Sequence, residues 1–131
     1  MLPCEAQHRL DGFFCTLSRE TPLHARPELR VRLAPRRYRV VDLAVYANQK
    51  PAEDVPSSPP LFALEILSRE DRFMQVREKL EEYRLWGVSH IWLVDPWVRK
   101  FYVYTGAGLS EVPAFQIPEF QVEIPPSQIF G

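Results

Sequence analysis

Two short apolar runs, each with a carboxylate at its centre, limit this chain more than any other feature. The first is Arg39-Val-Val-Asp42-Leu-Ala-Val-Tyr46 and the second is Pro60-Leu-Phe-Ala-Leu-Glu65-Ile-Leu-Ser68. Runs of this length and composition read as buried strands. An ionised carboxylate in such a place is costly to desolvate unless something positive meets it. A helix follows at once and carries Lys79, one of only three lysines in the chain.

The remaining periodicities order the chain as helix, three strands, helix, two strands. Leu10, Phe13 or Phe14, and Leu17 suit an amphipathic helix over Glu5 to Ser18, which Gly12 weakens. Leu29 to Leu33 alternates apolar residues with arginine as a half-buried strand does, and Pro35-Arg36-Arg37 turns the chain into the Asp42 strand. Asn48 to Pro60, rich in proline, is a loop that suits an antiparallel pair but exceeds a tight hairpin. Ser68-Arg69-Glu70-Asp71 has the form of an N-cap with an acid three residues on. The helix it opens is expected to reach about Trp86, with Phe73, Val76, Leu80 and Tyr83 as its apolar stripe and Gly87 as its terminator. His90 to Asp95 and Phe101 to Thr105 read as strands with a turn at Gly106-Ala-Gly108. The proline-rich tail predicts one or two edge strands with Phe120, Val122 and Ile124 inward. A strand, a helix and a further strand predict a right-handed crossover. The expected fold is α/β (α+β), a mixed β-sheet flanked by helices, in one domain spanning residues 1–131.

Sixteen basic residues against seventeen acidic ones argue against a protein that coats nucleic acid by bulk charge. The distribution is less neutral. Arg26, Arg30, Arg32, Arg36, Arg37 and Arg39 crowd one stretch against Glu28 alone. Such a strip can meet phosphates, with Arg30, Arg32, Arg36, Arg37 and Arg39 as the candidates, or it can protect a solvated strand edge. No stretch is long enough to span a bilayer and the start lacks a signal-peptide pattern, so a cytoplasmic setting is the expectation. Cys4 and Cys15 lack zinc-finger spacing and a second pair, and read as buried or idle thiols. Trp86, Trp92 and Trp97 read as core or interface residues, and His90 and Asp95 as structural.

Strand alternation sets Val41, Leu43 and Val45 on one face and Val40, Asp42, Ala44 and Tyr46 on the other. Glu65 likewise shares its face with Leu61, Ala63 and Leu67. Each acid thus has an alanine two residues away, which leaves room beside it. With Phe73 at zero and about 100° per residue, the helix stripe centres at about 310° and Lys79 falls at about 240°. From that border, beside Tyr83, its stem can run along apolar surface and bring the ammonium to the sheet. Glu78, Glu81 and Glu82 point further outward and read as solvated. Chemically, the set fits metal-assisted phosphodiester hydrolysis. Asp42, Glu65 and the carbonyl of Ile66 would hold Mg²⁺ or Mn²⁺ with waters, and Lys79 would orient the attacking water or stabilise the charged phosphorus oxygens. A structural pair neutralised by Arg or Lys produces the same pattern.

At these residues the chain resembles the Uma-two family of restriction-endonuclease-like proteins, a branch of the PD-(D/E)XK nuclease superfamily. The carrying stretches are Tyr38-Arg-Val-Val-Asp42-Leu-Ala-Val-Tyr46, Pro59-Pro-Leu-Phe-Ala-Leu-Glu65-Ile-Leu-Ser68, Arg77-Glu-Lys79-Leu-Glu-Glu-Tyr83 and Gly87-Val-Ser-His-Ile-Trp-Leu-Val-Asp95-Pro96. The resemblance implies a restriction-endonuclease-like core, Asp42 and Glu65 as ligands of Mg²⁺ or Mn²⁺, DNA as the substrate, and a homodimer because one such core cuts one strand. The superfamily's usual lysine would fall on Leu67, and Lys79 matches the family's replacement for it. The proline that normally precedes the first Asp is Val41 here. Family members usually begin with a further segment bearing a Glu in a Glu-Leu-x-x-Gly type stretch. This chain starts almost at its first helix and reads as N-terminally short for the family, with Glu5 or Glu20 as substitutes. His8 sits where the family often has a His opening that helix, and reads from the residues alone as a surface histidine. A metal-dependent endonuclease is the leading reading. The alternatives are a catalytically inactive nuclease-like domain that binds nucleic acid or protein, and an interaction domain whose acids are locked by arginine.

Overall fold

The computed structural model describes residues 1–131. Helix α1 (Pro3–Leu17) opens on a proline, whose missing N–H costs nothing at a helix start, and buries Ala6, Leu10 and Phe14. Strands β1 (Leu23–Ala34) and β2 (Arg37–Ala47) form a long antiparallel hairpin. Its first strand extends well beyond the expected Leu29–Leu33. The loop after β2 leads to β3 (Phe62–Ile66), which is antiparallel to β2 as expected. Helix α2 (Phe73–Trp86) then crosses to β4 (His90–Asp95), which lies parallel to β3. With β5 (Lys100–Thr105) and β6 (Gly108–Val112) these make a six-stranded mixed sheet in the order β1-β2-β3-β4-β5-β6. The tail forms a separate ribbon, β7 (Phe115–Ile117) and β8 (Val122–Ile124), followed by the short α3 (Ser127–Phe130). No helix is long and apolar enough to cross a membrane.

Two cores flank the sheet. On one face, residues of α1, the β7–β8 ribbon and α3 pack on Leu43, Phe62, Leu64, Trp92 and Phe101. Aromatic rings form a stack there, with centroids 4.4 Å apart for Phe62–Trp92, 4.3 Å for Trp92–Phe115 and 4.1 Å for Phe101–Phe115. On the other face, Leu80 and Tyr83 of α2 pack against Ala63, Ile91 and Leu93. Gly87 ends α2 in the left-handed conformation (φ 114°), where a side chain would be strained.

Three expectations change at this level. Ser68 does not cap α2: its N–H is donated to Asp71 Oδ2 at 2.9 Å while the Asp71 N–H is donated to the Ser68 carbonyl, so the pair closes a separate turn before the helix. Phe73 is 64 % exposed because α2 meets the sheet only from Val76 onward. Of the two readings for Cys4 and Cys15, buried or idle, the first fails: both are free and exposed on α1. Among the tryptophans, Trp92 is fully buried, whereas Trp86 uses its Nε1–H to hold the Ser57 carbonyl at 3.1 Å.

Candidate active site

The β2–β3 ladder pairs Val45 with Phe62, Ala44 with Ala63 and Leu43 with Leu64, and there it stops. Asp42 and Glu65 stand at the next step, and their side chains take over from the backbone. Glu65 Oε2 accepts the Asp42 N–H at 3.0 Å, and Asp42 Oδ2 accepts the Ile66 N–H at 2.8 Å. The strands fork, and each acid satisfies a donor that the fork would leave unpaired. This exchange explains why two apolar runs tolerate a carboxylate. From α2, Lys79 Nζ reaches Glu65 Oε1 at 2.5 Å, and the Tyr83 hydroxyl donates to Glu65 Oε2 at 3.2 Å. Lys79 and Tyr83 are four residues apart, one above the other on the helix face turned to the sheet.

Electrostatics follow from burial. Glu65 is only 6 % exposed. Burial, reinforced by the negative charge of Asp42, pushes its carboxyl up to about 7 against the opposing pull of Lys79. Burial also raises Asp42, offset in part by the Ile66 N–H and by Lys79. Tyr83 is pushed far up, first by burial and then by Glu65, so its hydroxyl stays protonated as a donor. One ammonium therefore serves two acids.

The fork opens into a cleft of about 520 Å³. Gln7, His8 and Asp11 of α1 line one side, Glu28 another, and Ser68, Asp71 and Lys79 the rest. Gln7 Nε2 donates to the Asp42 carbonyl at 3.0 Å and to Asp11 Oδ1 at 2.8 Å, tying the helix to the forked strand. Glu28 lies across from Asp42 with a left-handed backbone (φ 47°), and regular pairing resumes on either side at Pro27–Leu43 and Leu29–Val41. The hairpin re-aims at this point. Alternation alone would group Val41 with Leu43 and Val45, yet Val41 packs in the α2 core and the other two in the α1 core.

Asp42, Glu65 and Lys79 thus converge, with the Ile66 backbone beside them. No arginine is paired with Asp42 or Glu65, against the interaction-domain alternative. Gln7, Asp11, Glu28 and Asp71 are cleft residues that sequence patterning passed over. The spacing of Gln7 and Asp11, four apart on one helix, was the available signal; Glu28 needed the hairpin register. Neither Glu5 nor Glu20 lines the cleft, and His8 is exposed at its rim.

The arginine strip splits. Arg37 Nε and Arg39 Nη2 both meet Glu82, at 2.7 and 2.6 Å, so Glu82 is an ion-pair partner of the hairpin and not a free solvated acid. Arg30 lies over the Tyr38 ring, 4.7 Å from its centroid. Arg32 donates from Nη2 to the Pro35 carbonyl at 3.1 Å, and Arg36 is exposed in the turn.

As donors for a cation, Asp42 and Glu65 offer hard carboxylate oxygens. Asp42 Oδ2 is taken by the Ile66 N–H, leaving Oδ1 without a protein donor. No group of three or more His, Cys, Asp or Glu side chains converges to hold a metal ion. Two carboxylates in an open cleft fit Mg²⁺ or Mn²⁺, which take one or two carboxylates and keep several waters, and do not fit the closed nitrogen and sulfur cage of structural zinc.

Among solved structures, one described as a "putative nuclease belonging to DUF820" from Anabaena variabilis ATCC 29413 superposes with a TM-score of 0.81 at 18% sequence identity, covering 97% of this chain and 79% of that chain. At that identity the likeness establishes the fold. No curated protein matches the sequence. The model of the Uma2 (Uma-two) family, described as "Putative restriction endonuclease", matches residues 5–130. That match across nearly the whole chain makes this protein a member of the Uma2 family.

Proposed function

We propose that the protein is a divalent-metal-dependent endonuclease that hydrolyses phosphodiester bonds in DNA, with Asp42, Glu65 and Lys79 as its catalytic set. The observation that carries this reading is the meeting of those three side chains at the β2–β3 fork, in a cleft open to a polymer. Asp42 and Glu65, with the Ile66 carbonyl, would hold Mg²⁺ or Mn²⁺. A bound divalent ion supplies Lewis acidity and shields developing charge on the phosphate. The chain's own residues do the rest. Glu65 and Asp42 orient a water toward phosphorus and accept hydrogen bonds from it. Lys79, which already contacts Glu65, turns its ammonium to the attacking water or to a non-bridging phosphate oxygen as charge builds there. Attack by water forms one P–O bond and releases the water's proton to solvent, the bond to the leaving sugar oxygen breaks, and that oxygen takes a proton from solvent.

Of the arginine strip, Arg30, Arg32 and Arg36 lack acidic partners and are the candidates for phosphate contact. Arg37 and Arg39 would first have to leave Glu82. A double-strand cut would need a homodimer, one core per strand. A cytoplasmic setting belongs to the same reading.

One observation favours the inactive alternative: both Glu65 oxygens already have protein donors, Lys79 on Oε1 and the Asp42 N–H and Tyr83 hydroxyl on Oε2. Nicking of supercoiled and single-stranded DNA with Mg²⁺ or Mn²⁺ decides between them. Cleavage by the wild type that disappears in Asp42→Ala, Glu65→Ala and Lys79→Ala supports the enzyme. Absence of cleavage by the wild type, or cleavage that survives in all three variants, rejects it.

A further inference from the structure

The distal half of the β1–β2 hairpin has two unlike faces. Leu29, Val31 and Val41 are buried on the α2 side, and Arg39 reaches Glu82 from that side. The intervening residues Arg30, Arg32, Tyr38 and Val40 turn the other way and are exposed. The register pairs Arg30 with Val40 and Arg32 with Tyr38, and the step before them is Glu28 across from Asp42, both in the cleft. Moving outward from the acids, one continuous face therefore reads Asp42 and Glu28, then Val40 and Arg30, then Tyr38 and Arg32.

The chemistry of that face is specific. Val40 is 48 % exposed and Tyr38 41 %, an apolar and aromatic surface on an edge hairpin, with the Arg30 guanidinium over one face of the Tyr38 ring. Neither Arg30 nor Arg32 has a carboxylate partner, in contrast to Arg37 and Arg39. The acids of the cleft repel phosphate, so a polyanion must be gripped just outside it, and these arginines are the next residues along. The exposed aromatic ring selects the form of that polyanion. An unpaired strand has bases free to stack on such a ring. A duplex keeps its bases stacked on one another and leaves the Tyr38 ring unused.

We propose that this hairpin face binds an extended single strand of nucleic acid and feeds it into the cleft, with Tyr38 stacking a base and Arg30 and Arg32 holding phosphates. The inference rests on the nuclease reading of the cleft, and it needs only one core per strand. The test measures fluorescence anisotropy of a fluorescein-labelled oligodeoxynucleotide, single-stranded or annealed to its complement, with the full chain in EDTA so that nothing is cut. The expected result is tighter binding of the single strand, weakened about 5- to 150-fold by Tyr38→Ala and retained by Tyr38→Trp. Arg30→Ala should flatten the salt dependence by the share of about one phosphate contact, while Lys100→Ala, which alters the pair with Glu111 on β5–β6, leaves binding unchanged. The proposal is overturned if the wild type does not bind the single strand, if it prefers the duplex, or if Tyr38→Ala binds as tightly as wild type. Tyr38-dependent binding by a protein that fails to nick DNA with Mg²⁺ would reject the nuclease reading and keep the binding face. Nicking with Tyr38-independent binding would do the reverse.

Discussion

Glu65→Gln replaces a buried acid by its neutral isostere, and the surroundings of Glu65 set both the sign and the size of the change in stability. The carboxyl rises from its ordinary 4.5 to about 7 in the fold, mainly through burial and then through the charge of Asp42. Below pH 4.5 it is neutral in both folded and unfolded chains, so glutamine should change little. As pH climbs through about 7 the folded protein must ionise a desolvated group, and the stability conferred by holding its proton is lost. At about 1.36 kcal/mol per pH unit of separation, the gap between 4.5 and about 7 makes Glu65→Gln more stable than wild type by about 3 kcal/mol above pH 8. That gap already contains both the attraction of Lys79 and the repulsion of Asp42. Urea denaturation of both proteins at pH 4.5, 6.5 and 8.5 measures the difference, and groups that titrate alike in the two proteins cancel. A difference that does not grow with pH would refute the picture of an under-compensated acid pair.

Divalent cations should act in the same direction: millimolar Mg²⁺ at pH 8 is expected to raise the wild-type melting temperature, EDTA to reverse it, and Asp42→Asn to abolish it in differential scanning calorimetry. Lys79→Met removes the ammonium from Glu65 Oε1, so isothermal titration should show tighter Mn²⁺ binding while nicking falls. Tyr83→Phe deletes a hydroxyl that donates to buried Glu65 and should cost about 1 kcal/mol by chemical denaturation. Trp92→Ala empties the centre of the aromatic stack and should cost about 3–5 kcal/mol in the same measurement.

Most local features were legible in the sequence because they depend on residues a few positions apart. The helical phase that set Lys79 beside Tyr83 on α2 matches the contacts both make with Glu65. Alternation in β3 correctly separated Phe62, Leu64 and Ile66 from Ala63 and Glu65. Alternation misled at Val41, because it assumes a regular strand and the hairpin re-aims where Glu28 takes a left-handed backbone. The Ser68 cap failed for a related reason: Asp71 satisfies the Ser68 N–H in a turn of its own, and no pattern in sequence ranks one use of the pair above the other.

What the sequence alone determined is thus the order of the main elements, the faces of β3, and the α2 face that Lys79 shares with Tyr83. Only the tertiary structure decided how those acids are tolerated and what surrounds them. The exchange between Asp42 and Glu65 joins residues 23 and 24 positions apart, Gln7 reaches Asp42 across 35, and Glu82 binds Arg37 and Arg39 across 45 and 43. Such contacts follow from strand register and from the seating of helices on the sheet. Those are set by burial of the whole core, so no local window of the sequence contains them.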